Sequence, residues 1–210
     1  MKRSDLQLYF IMGTANVKNR QPLEILEAAL QAGITMFQFR EKGQHALTNE
    51  HYEHFARQCQ NLCRKYNVPF IVNDDIDLAL KLNADGIHIG QDDYPVSLVR
   101  QKIGQMILGV SVHTASELQV ALKYGADYIG IGPIYATTSK NDAKPPCGTE
   151  FLYQAHSMYP LLPIVAIGGI DCLNASAVIK AGADGVAVIS AICESNDIQK
   201  TASTFKSLYL

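Results

Sequence analysis

Gln38, Arg40 and Lys42 stand on alternate positions where an apolar run ends. Alternation in an extended chain puts all three on one side, aimed at the same space. A guanidinium presents a planar fork that matches phosphate oxygens, and an ammonium adds a compact point charge. The next apolar run ends in Asn73, Asp74 and Asp75, and the one after it in Gln91, Asp92 and Asp93. A few carboxylates, completed by a ligand's phosphate oxygens, are the usual way a protein holds Mg2+. Asp74 and Asp93 therefore read as metal ligands and Asn73 as a hydrogen-bonding amide for substrate. Asp75 and Asp92 read as caps of the helices that follow. Each cluster alone has a plain alternative, a solvated loop or a helix cap. Taken with Lys140 on one face, they favour a metal–pyrophosphate site.

A second anion site is expected where two later apolar runs end, at Gly168-Gly169 and at Ile189-Ser190. The glycines permit close backbone approach, and Ser190 offers a hydroxyl at a short helix start, where backbone N–H groups favour phosphate. Residues 133–149 form the longest stretch without periodicity and carry Thr137, Thr138, Ser139, Lys140 and Lys144. Loops of this length in compact domains tend to be lids or binding loops, so Lys140 is expected to close over an anion. His88 alternates with apolar residues and reads as a satisfied interior side chain. His113, just past Ser111, is open to a chemical role or none, and His45, His51, His54 and His156 read as surface. No Ser–His–Asp or Cys–His arrangement suggests a nucleophile.

The elements that must position these residues alternate strictly. Strand-like runs occupy 6–12, 34–40, 68–73, 85–89, 106–112, 127–132, 163–167 and 184–189. Helical periodicity marks 23–31, 48–66, 76–82, 96–103, 115–124, 150–158, 173–181 and a last segment near 197–208. Eight strands separated by helices must be parallel, because each return needs a crossover. Ala32-Gly33-Ile34, Asn83-Ala84-Asp85, Gly125-Ala126-Asp127 and Gly182-Ala183-Asp184 recur between a helix and the next strand. Glycine or asparagine there can end a helix in the left-handed conformation. An open doubly wound sheet is the alternative; eight short units favour a closed α/β TIM barrel, one domain over 1–210, with the site at its C-terminal mouth.

Composition sets the outer bounds. A chain of 210 residues, 48% apolar, can bury a large core, and a net charge of −2 argues against generic attraction to nucleic acid or membrane. The five cysteines are odd in number and lack zinc-like spacing. With no signal-like segment at the N-terminus, the expectation is a reduced cytoplasmic protein without a membrane partner. Apolar residues on the outer helices leave both a monomer and a homo-oligomer open.

Eight segments in order, QFREK, IVNDD, DGIHIGQDD, GVSVHT, GADYIGIGPIY followed by Thr137-Thr138-Ser139-Lys140, PIVAIGGI and GVAVISAI, give the chain an end-to-end resemblance to the thiamine phosphate synthase family. The resemblance implies a transferase that joins a hydroxymethylpyrimidine diphosphate to a thiazole phosphate, releasing pyrophosphate. It implies that Arg40, Lys42, Asn73 and Lys140 hold the pyrophosphate, with Mg2+ as cofactor on Asp74 and Asp93. Gln38 and Ser111 would sit near the pyrimidine, and Thr137, Ser139, Gly169, Ile189 and Ser190 around the thiazole phosphate. Arg40, Ser111 and Lys140 would carry the catalysis, through a dissociative mechanism that needs no protein nucleophile. One departure is local: where the family usually has Pro-Thr-x-Thr-Lys, this chain has Ala136-Thr137-Thr138-Ser139-Lys140. The related thiazole tautomerase branch and a non-catalytic phosphate sensor are the rival readings, separated by whether a leaving-pyrophosphate site exists and turns over.

Overall fold

The computed structural model describes residues 1–139 and 144–209. Eight parallel strands pair in sequence order, and the last pairs with the first to close a barrel. They are β1 (Leu8–Met12), β2 (Met36–Phe39), β3 (Phe70–Asn73), β4 (Gly86–Ile89), β5 (Ile107–Val112), β6 (Tyr128–Ile131), β7 (Ile164–Ile167) and β8 (Gly185–Val188). The helices are α1 (Pro22–Ala32), α2 (Asn49–Lys65), α3 (Ile76–Leu82), α4 (Val96–Ile103), α5 (Ala115–Lys123), α6 (Glu150–Met158), α7 (Ala175–Lys180), α8 (Ser190–Cys193) and α9 (Ile198–Lys206). The strict alternation is met except at β8. There the sequence pattern predicts one helix, and two are present, α8 being a single turn too short for a periodic apolar stripe.

Both faces of the sheet are covered, so nearly every strand residue is buried. On the outer face Phe10, Phe37, Phe39 and Phe70 stack across β1–β3 and meet Tyr52 and Phe55 of α2 at centroid distances of 5.4 to 6.2 Å. On the inner face the same strands carry polar residues, Tyr9, Gln38 and Asn73. The period of two thus divides a greasy jacket from a polar interior.

The recurrent segment before alternate strands does more than end a helix. Leu8 donates its N–H to Thr35 Oγ1, and Thr35 donates its own back to Leu8 O, each at 2.9 Å. Phe70 pairs reciprocally with Asp85, Leu108 with Asp127 and Ile164 with Asp184. In each case the N–H reaches Oδ2 at 2.8 Å and the aspartate N–H returns to the partner's carbonyl. The first N–H of β3 and β7, and those of Leu8 and Leu108 in β1 and β5, would otherwise lie beyond the sheet ladder. One side chain from the start of β2, β4, β6 or β8 satisfies each. The barrel is stitched fourfold around its N-terminal rim.

Candidate active site

At the opposite rim the strand ends enclose a cavity of about 260 Å3. Its wall includes Arg40, Lys42, Asn73, Asp74, Asp93, Ser111, Thr137, Ser139, Gly169, Ile189 and Ser190. The structure therefore brings together, from seven strand ends, nearly every residue that the sequence singles out. Lys140 lies outside the described residues. Gln38 lies beneath the cavity floor, 1% exposed, and its amide donates to Tyr9 OH at 2.8 Å. Alternation predicts the side on which Gln38 points but not its depth, and depth separates it from Arg40.

Lys42 sits between the two carboxylates that the sequence pairs. Its ammonium is in direct contact with Asp74 and 3.7 Å from Asp93 Oδ1. Asp74 has a left-handed backbone, φ 61°, a conformation aspartate tolerates better than most residues. The turn is pinned by its N–H donating to His88 O at 2.9 Å. Burial, and the hydrogen bond with the neighbouring Asp93 carboxylate, raise the Asp74 carboxyl from its ordinary 3.8 to about 6. Asp93 moves the other way: although burial opposes it, the hydrogen bond with Asp74 and that from Gly90 N–H, at 2.8 Å, hold it below the usual range. Two carboxylates close enough to share one proton, facing an open cavity, form a site that a cation would relax. Among the described residues no cluster of three or more acidic, histidine or cysteine side chains offers a complete coordination shell.

Glu41, between Arg40 and Lys42, faces away and braces the loop. Thr14 N–H and Leu47 N–H donate to its carboxylate at 2.7 and 2.9 Å, and the Thr14 hydroxyl does so too. Asp75 caps α3 as predicted, accepting from Leu78 N–H at 2.9 Å. Asp92 does not cap α4, whose N-cap is Pro95, and instead faces the cavity. Tyr94-Pro95 intervenes between Asp92 and the helix, so its side chain sits too early to reach the first turn.

On the far side of the mouth Gly168 and Gly169 have φ of 98° and 64°. A Cβ on Gly169 would lie 2.5 Å from Ala136 O, so the two loops pass backbone to backbone. The chain after β6 runs alongside β7, Ile134 N–H donating to Ile167 O and Tyr135 N–H to Gly168 O. The cavity side of that loop presents Thr137 and Ser139, the Ser139 N–H donating to Thr137 Oγ1 at 3.2 Å. α8 begins at Ser190, as the phosphate reading requires.

Two lining residues escape sequence reasoning. Gln91 donates to Ser111 O at 2.6 Å, and His88 meets Ser111 Oγ at 2.9 Å through Nε2. His88 is satisfied in the interior as predicted, yet it also reaches the cavity wall. The signal for it was its register, opposite Asn73 and Gly109 in the neighbouring strands.

A sequence profile described as thiamine monophosphate synthase matches residues 8–192. The chain belongs to that family. A thiamine-phosphate synthase of Lysinibacillus sphaericus (strain C3-41) is 67% identical over 208 residues, 99% of this chain and 98% of the relative. A thiamine-phosphate synthase of Bacillus cereus (strain B4264) is 53% identical over 89% of this chain and 85% of its own length. Among solved structures, the thiamine phosphate pyrophosphorylase of Pyrococcus furiosus superposes with a TM-score of 0.86 at 32% identity, covering 98% of this chain and 96% of that one. The synthase family therefore accounts for both the fold and the order of the strand-end clusters, and no described helix is long and apolar enough to cross a membrane.

Proposed function

We propose that the chain is a thiamine phosphate synthase that joins a 4-amino-2-methylpyrimidine bearing a diphosphomethyl group to hydroxyethylthiazole phosphate. Residues 1–210 act as one cytoplasmic catalytic domain on these small-molecule substrates. The observation that carries the reading is the single cavity in which Arg40, Lys42, Asp74 and Asp93 face the glycine turn and Ser190 across Ser111. Such a cavity holds two anionic groups about one reacting centre. Proton shuffling alone would have no use for the first of them.

In this reading Arg40, Lys42, Asn73 and Lys140 hold the diphosphate. Ser111 meets the pyrimidine, with Gln38 behind it, and Thr137, Ser139, Gly169, Ile189 and Ser190 receive the thiazole phosphate. The C–O bond to the diphosphate breaks with its electron pair leaving on oxygen, and the aminopyrimidine ring stabilises the resulting cation. The thiazole nitrogen lone pair then forms the new C–N bond. The protein supplies preorganised charge for the leaving group, alignment of the two rings and exclusion of water. The paired carboxylates fit Mg2+, which when bound would neutralise diphosphate charge, with Asp74 and Asp93 as its protein ligands and phosphate and water oxygens completing the shell.

The test is formation of thiamine phosphate, read as fluorescent thiochrome after oxidation, from both substrates with Mg2+ and with a chelator. Product is expected only with metal. No product from folded protein at saturating substrate would end the synthase reading.

A further inference from the structure

Below Ser111 the barrel interior holds a line of buried polar side chains that the proposed chemistry does not use directly. Ser111 Oγ meets His88 Nε2 at 2.9 Å, and His88 Nδ1 meets Tyr128 OH at 3.0 Å. Tyr128 OH meets Tyr9 OH at 2.9 Å, and Gln38 Nε2 meets Tyr9 OH at 2.8 Å. Tyr9, Gln38 and Tyr128 are each 1% exposed or less. The arrangement has a space built for it: a Cβ on Gly109 would come within 2.3 Å of Tyr128 OH and 2.4 Å of His88 Nδ1. Any larger residue on β5 would break the contact between the two rings.

Donors and acceptors in this line can be counted. An amide nitrogen only donates, so Tyr9 oxygen accepts from Gln38. The Tyr9 proton then goes to Tyr128 oxygen, and the Tyr128 proton to His88 Nδ1. A nitrogen that accepts carries no hydrogen, which leaves the imidazole neutral with its proton on Nε2. Nε2 donates to Ser111 Oγ, and the Ser111 proton turns to the cavity. The opposite direction would leave Tyr9 and the amide of Gln38 both donating, or require a phenolate, which burial disfavours at both tyrosines.

We infer that Gln38, Tyr9, Tyr128 and His88 form a one-way donor chain that fixes Ser111 as a hydrogen-bond donor to the ligand, so the ligand atom against Ser111 is an acceptor. On an aminopyrimidine that atom is a ring nitrogen and not the exocyclic amino group, so the chain selects which edge of the ring faces Ser111. The identity of the ring rests on the synthase reading; the direction of the chain does not. Tyr9, Tyr128 and His88 are positioning residues, acting through Ser111. A neutral imidazole beneath the reacting centre also adds no positive charge where a cation must develop.

The first test needs no substrate. Long-range 1H–15N correlation on the full chain labelled with 15N-histidine, His88 assigned by its loss in His88→Gln, is expected to show Nε2 protonated and Nδ1 bare. Tyr128→Phe keeps the ring and removes the donor, so the fixed tautomer should give way to a mixture. Tyr9→Phe, one link further away, serves if Tyr128→Phe does not fold. In turnover Tyr128→Phe is expected to lower kcat about tenfold or more with KM for the thiazole phosphate unchanged. Combined with Ser111→Ala it should cost nothing further, because the chain acts only through that hydroxyl. A protonated Nδ1 in the unaltered protein, unchanged histidine shifts in both tyrosine variants, or additive losses in the double variant would overturn the inference. Absence of thiamine phosphate formation would instead strike the synthase reading and leave the tautomer result standing.

Discussion

Asp74 carries the strain of the site in one residue. Its backbone is left-handed and its carboxyl is held at about 6 by burial and Asp93. A carboxyl raised from 3.8 favours folding most where it is protonated in both states. The contribution is complete below about pH 4 and lost as pH rises through about 6. Asp74→Asn imitates the protonated form and tolerates the same backbone. The metal-free variant should therefore be more stable than the parent at pH 8, by on the order of 2 kcal/mol, and no more stable at pH 4. Thermal melts at the two pH values check this, and equal shifts at both would contradict it. The variant should also lose turnover, trading function for stability. Residue by residue, the strand-end side chains were legible because an apolar run marks where a strand stops. Gln38 and His88 were harder, since periodicity tells which side a residue faces but not how deep in the barrel it lies. Glu41 showed no sign in sequence of being a brace, because its partners Thr14 and Leu47 belong to other loops.

At the scale of elements, the fourfold stitch at the N-terminal rim separates stability from chemistry. Asp184 takes the Ile164 N–H at 2.8 Å with its side chain 14% exposed, and also receives Arg3 at 3.3 Å. Asp184→Ala strips a partner from a part-buried N–H and should cost about 1–2 kcal/mol in denaturant unfolding. Turnover at the folded plateau should be unchanged, because the site sits at the other end of the strands. A comparable fall in kcat would mean that the two rims are coupled. The recurring Gly-Ala-Asp segments were visible in sequence as helix terminators. The reciprocal pairing of each aspartate with the preceding strand was not, since it depends on which strand lies alongside. α8 escaped for a different reason: four residues carry no helical period, and only its place after β8 hinted at it.

For the molecule as a whole, the closed barrel buries chemistry it does not use. Cys59, Cys63 and Cys193 are buried, and burial pushes all three thiols up, Cys193 to about 12. Cys147 and Cys172 are half-buried and raised less by the same cause. Thiolate is the reactive form, so the native chain should release colour from a disulfide reagent at pH 8 through Cys147 and Cys172 alone, and slowly. All five thiols should react in denaturant. Rapid native reaction of all five would mean that the barrel opens on the assay's timescale. The barrel itself was legible from eight alternating units, because parallel strands need helical returns and closure removes both edges. The alternation could not specify the geometry of the 133–149 loop, whose aperiodic chain is ordered through contacts with β7.

The account's central claim is that Asp74 and Asp93 serve the diphosphate's metal and not the fold. The direct measurement is Mg2+-dependent thiamine phosphate formation by the parent and by Asp93→Asn, with thermal melts of both. The account predicts turnover falling by about two orders of magnitude or more, while the melting temperature moves by no more than a few degrees. Undiminished turnover in the variant, or a loss that tracks unfolding, would contradict it.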